Sequence, residues 1–163
     1  MFKRQLTPPQ QPMPEYQLFP IGFWHCIAAV MLMTLCIVCT TILITYLLGL
    51  DSKTRNLAFI ELGIGCTQGV ILAHLTFMVS RGSALSSTLL LWFNRACLTV
   101  LVFGNIVALI AGDYVIAMFA SGGLVLALST HQIYLSKRYR KFLDYYELIW
   151  AHNRWNRRRN NTY

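Results

Sequence analysis

Four stretches of this chain, over about 21–50, 57–79, 88–111 and 114–135, contain only two charged side chains between them, Glu61 and Arg95. Crossing the ~30 Å hydrocarbon core of a bilayer takes about 20 apolar residues at helical rise, so each stretch is long enough to span. A soluble helical protein built from them would have no polar faces to turn to water. With 56% of its residues hydrophobic and 12% charged, the chain has little other material for such faces. The expected fold is therefore an all-α membrane protein. Four transmembrane helices form an antiparallel bundle, joined by the short segments 51–56, 80–87 and 112–113. Those loops are too short to hold a separate domain, and no internal repeat is visible.

The flanks differ in kind. Residues 1–20 are rich in proline and glutamine and show no apolar period, which reads as a flexible arm along the membrane surface rather than a secretory leader. Residues 136–163 open with Lys137, Arg138, Arg140 and Lys141 and close with Arg154, Arg157, Arg158 and Arg159. Between them Tyr139, Phe142, Leu143, Tyr146, Ile149 and Trp150 recur at the three-to-four spacing of an amphipathic helix. A basic helix with an aromatic stripe suits contact with anionic lipid head groups, or docking of a cytoplasmic partner. The net charge of +8 is concentrated beside the spans, the pattern of an orientation signal rather than of nucleic-acid binding. With both termini cytoplasmic, eleven basic residues fall on that side and two, Lys53 and Arg55, on the other. The expected location is a bacterial inner membrane, crossed several times.

Function, if the spans carry any chemistry, lies with their polar residues. An ionisable side chain in hydrocarbon costs several kcal/mol unless it pairs, snorkels or faces a wet cavity. The candidates are Glu61, Gln68 and His74 in the second span and Asn94, Arg95 and Asn105 in the third. In an antiparallel register Glu61 lies level with Ile106, while Arg95 lies about eleven residues, or ~16 Å, further along, so the two do not pair directly. Two polar layers result: Glu61 with Asn105 on the outer side, and His74 with Asn94 and Arg95 on the inner side. Gly65 and Gly69 form a small-xxx-small pair that permits close helix approach, as do Ala117, Ala120, Ser121, Gly122 and Gly123 in the fourth span.

His25, His74 and His131 share a depth on three helices, a set that haem, a metal or a quinone would use only if they converged. One histidine per helix is not such a set, and no cofactor or metal is expected. All five cysteines fall within spans, where they act as small apolar packing residues; Cys36 and Cys39 match a redox spacing without the electropositive setting that makes a thiolate. No phosphate loop, zinc-protease motif or serine elbow is present, so no enzyme is expected. The resulting expectation is a non-enzymatic accessory or structural subunit of a membrane complex, of the secretion, conjugation, division or immunity kind, packing against other membrane proteins or copies of itself. The competing class is an ion-handling or cofactor-binding membrane protein using Glu61, Arg95 and the histidine layer. Substitution separates them: a packing residue lowers protein level, a functional one lowers activity alone.

Overall fold

A computed structural model describes residues 15, 17, 19–50 and 56–160 of the chain. Most of the N-terminal arm, the first loop with Lys53 and Arg55, and the side chains of Arg158 and Arg159 lie outside the described residues. The described chain is all helical: α1 Phe23–Leu47, α2 Leu57–Ser80, α3 Ala84–Ala111, α4 Tyr114–Leu135 and α5 Lys137–Asn160. No strand occurs among the described residues. The first four helices are long and apolar enough to cross a membrane. Many of their large apolar side chains point outward, with Ile110 82% exposed and Phe59 77% exposed, as a lipid-facing surface requires.

Helix ends follow local chemistry. Gly112 takes φ 74° at the end of α3, and the following Asp113 N–H donates to the Ala108 carbonyl at 2.9 Å, closing the helix with a left-handed residue that glycine adopts without strain. Asp113 then caps α4, its Oδ1 accepting from the Ile116 N–H at 3.3 Å. At the other turn α3 begins at Ala84, four residues before the serine-rich composition indicates. Ser83 stands extended at the N-cap position, and the Ser86 N–H donates to its carbonyl at 3.1 Å, so the serines start the helix instead of forming a loop.

Three helices make the core. On α3 the buried positions Ser86, Leu90, Asn94, Cys97, Leu101, Gly104 and Ala108 recur every three or four residues, one continuous seam. It packs against Met33, Cys36, Thr40 and Leu43 of α1 and Ala120, Gly123, Ala127 and Thr130 of α4. Glycine allows the closest approaches. A Cβ on Gly123 would lie 2.8 Å from Cys39 Cβ and 2.7 Å from Leu101 Cδ2, and one on Gly104 would strike Leu43. The second helix packs on α1 and α3, with Leu72 reaching the core, but more loosely than the other three. Along its 24 residues only Leu72 and Val79 are buried.

The tail helix turns its aromatic stripe onto the other helices. Ser136 breaks the chain with an extended backbone and accepts from the Tyr139 N–H at 3.2 Å, after which α5 touches all four preceding helices. Tyr139 and Phe142 are buried, the Tyr139 ring 5.2 Å from that of Tyr134. Burial pushes the Tyr139 phenol above its ordinary value. Trp150 Nε1 donates to the Ser80 carbonyl at 3.0 Å, and the α2–α3 turn at Gly82 lies against the Tyr146 and Glu147 backbone. Gly22, ahead of α1, packs on the Arg138 carbonyl and Phe142, while Gln17 N–H donates to Tyr145 Oη at 2.8 Å. The helix thus caps the end at which α1 begins, α2 and α4 end and α3 begins. Lys137, Arg138, Arg140, Lys141, Arg154 and Arg157 stay exposed around it.

Candidate functional site

The weak burial of α2 leaves a long groove between it and α1, of about 920 Å³. On the α1 side Val30, Thr34, Val38 and Ile42 line it; on the α2 side Glu61, Gly65, Gly69, Ala73 and Phe77 do. From Ser80 at the capped end to Glu61 it follows ~29 Å of helix at 1.5 Å per residue. Below Ser80 it runs on into a hollow of about 280 Å³ that shares Val30, Thr76 and Ser80 and is walled by Phe142 and Tyr146 of α5.

Hydroxyls in this groove are already satisfied. Thr34 donates to the Val30 carbonyl at 2.9 Å, Thr41 to Ile37 at 2.9 Å, Thr76 to Leu72 at 2.8 Å and Ser80 to Phe77 at 2.7 Å. Each turns its hydrogen back into its own helix, so these residues present chiefly carbon to the groove. Glu61 is different. Its Oε1 accepts from Thr45 Oγ1 at 3.2 Å, yet that hydroxyl also donates to the Ile42 carbonyl at 2.8 Å. One hydrogen serves two acceptors, and the shorter contact is with the carbonyl. Among the described residues the carboxyl is therefore incompletely satisfied at the groove's far end.

The remaining polar candidates scatter. Asn105 Nδ2 donates to Ser121 Oγ of α4 at 3.2 Å, so Glu61 and Asn105 each bond to a different helix and not to one another. Arg95 is exposed, its guanidinium 5.6 Å from the Trp92 ring centre. Asn94 is fully buried; its Nδ2 donates to the Ala127 carbonyl at 3.3 Å, and its Oδ1 has no partner among the described residues. Gln68 Oε1 and His131 Nδ1 are likewise buried without one. His74 is exposed and His25 half-buried. Among the described residues, no three histidine, cysteine, aspartate or glutamate side chains gather to hold a metal ion.

Of the small residues, Ala117, Ala120 and Gly123 are buried in the core, Ser121 is exposed beside Asn105, and Gly122 faces open space. Gly65 and Gly69 line the groove instead. Cys66 is exposed there, while Cys36 and Cys97 are buried and Cys26 and Cys39 half-buried. Thr45, the partner of Glu61, has no sequence signal of its own, because threonine back-bonded to its helix is ordinary in apolar spans. Trp150 reads as one more member of the tail's aromatic stripe, and only the packed structure shows its clasp on Ser80. The chain matches no known protein family, no curated protein and no solved structure.

Proposed function

We propose that this chain is a non-enzymatic structural or accessory subunit of a membrane-associated complex, of the secretion, conjugation, division or immunity kind. In this reading the four spans are antiparallel in a bacterial inner membrane, with both termini and the α5 cap on the cytoplasmic side. The exposed basic residues of α5 then rest on anionic head groups. The observation that carries the reading is the state of α2: a spanning helix with two buried residues and a ~29 Å groove along its flank. Helices in membranes associate through close packing and polar contacts rather than by hiding apolar surface from water, so an unpacked face with small residues suits a partner helix.

Native gel electrophoresis from mildly solubilised native membranes tests this. The chain should migrate in a complex well above its own mass, and Gly69→Leu, which fills the groove, should release it. Migration as a monomer in both forms would overturn the proposal. A C-terminal reporter active only outside the cytoplasm should remain silent; activity there would reverse the orientation.

A further inference from the structure

We infer that the α1–α2 groove receives a transmembrane helix of a different protein, and that this helix carries a lysine or arginine level with Glu61. The inference rests on the subunit reading and names the chemistry of the partner. Length argues for a helix over a lipid. The groove follows ~29 Å of α2, close to the whole ~30 Å hydrocarbon thickness, whereas an acyl chain belongs to one leaflet and covers about half of it.

The wall argues the same way. Gly104 and Gly123 are explained by side chains already pressed against them. Gly69 is not: a Cβ there would meet nothing within 4 Å, and one on Gly65 only Thr41 Oγ1 at 3.7 Å. Each glycine gives up roughly 1 kcal/mol of helix propensity relative to alanine, and at these two positions no internal contact offsets it. With Ala73 they make a ridge at four-residue spacing against which another backbone can lie.

Charge selects the partner. Glu61 is the acid among the groove's lining residues, and among the described residues its Oε1 accepts from the Thr45 hydroxyl and from no basic side chain; Lys53 and Arg55 lie outside the described residues. A cation on the incoming helix gives this carboxyl an ion-pair partner at the groove's far end, and pairing is one way charges in a span are held. A second copy of this chain does not supply that cation from its spans. Arg95 lies ~16 Å from the capped end of α3 while Glu61 lies ~29 Å from the capped end of α2, so a copy in the same orientation misses by about 12 Å. A two-fold pairing of grooves sets Glu61 against Glu61.

The test uses the full chain in native membranes with a photoreactive amino acid replacing Cys66. Irradiation should join it to a spanning segment of another protein, identified by mass spectrometry, that contains Lys or Arg. Glu61→Gln keeps an acceptor for Thr45 and so preserves the fold; it should lower the cross-link yield by more than about ten-fold. Glu61→Lys should abolish the cross-link, and replacing the partner's basic residue with Glu should restore it. Cross-linking to phospholipid alone, or to another copy, overturns the inference. A protein cross-link indifferent to Glu61 removes the cation while leaving the subunit reading intact. A chain that yields only lipid and also migrates as a monomer removes both.

Discussion

Asn94 offers a prediction whose sign depends on the details of its burial. The side chain is fully enclosed; its amide donates to the Ala127 carbonyl across a long 3.3 Å, and its Oδ1 has no partner among the described residues. Interhelical hydrogen bonds in membranes average ~0.6 kcal/mol, and this one is longer than most. A buried acceptor left without a donor costs about 1–3 kcal/mol. Asn94→Leu keeps the branched shape, removes both terms and leaves Ala127 O with its place in the α4 backbone ladder. The larger methyls offset part of the gain through overpacking, which costs about 1 kcal/mol in a tight seam. The expected result lies between about 0.6 kcal/mol less stable and about 1.4 kcal/mol more stable than the parent, by steric trapping in bicelles. A loss exceeding ~1 kcal/mol would refute the reasoning, because Oδ1 must then have a partner such as a buried water.

Other substitutions probe the packing and the cap. Gly123→Ala should destabilise by about 1–3 kcal/mol, since its Cβ would meet Cys39 and Leu101, whereas Gly122→Ala, facing open space, should be neutral or better. Thermal unfolding of the two side by side in one detergent checks the contrast. Trp150→Phe keeps the ring but loses the bond to the Ser80 carbonyl; about 1 kcal/mol should be lost locally, seen as faster hydrogen exchange in α5 with the spans unchanged. Asp113→Ala should cost about 0.5–2 kcal/mol through the α4 cap, read from the same thermal unfolding.

Much of the architecture was legible because hydropathy is a one-dimensional property. Four apolar runs are four long helices, and the tail's three-to-four spacing is a helix with one buried face. What that face touches was not legible. An aromatic stripe fits a lipid surface or a partner as well as it fits the chain's own helix ends, and only packing shows Tyr139 and Phe142 beneath α4 and α1. The polar residues divide in the same way. Counting residues from helix ends gives how far along its own helix each of Glu61 and Asn105 lies, but not the direction each faces around it. Glu61 turns to Thr45 of α1, and Asn105 to Ser121 of α4. Gly69 and Gly123 illustrate the limit. Both are glycines in apolar spans; one is pressed between two helices and the other lines an open groove.

The central claim, that another helix covers this groove, is tested most directly by a lipid-soluble carbene reagent. Labelling of Leu62, Cys66 and Phe77 is compared between native membranes and the purified chain in lipid nanodiscs. Ile110 and Met118, exposed on other helices, are the internal standard. The groove residues should be strongly labelled in nanodiscs and protected several-fold in native membranes, with the standards unchanged. Equal labelling of the groove in both settings would contradict the claim.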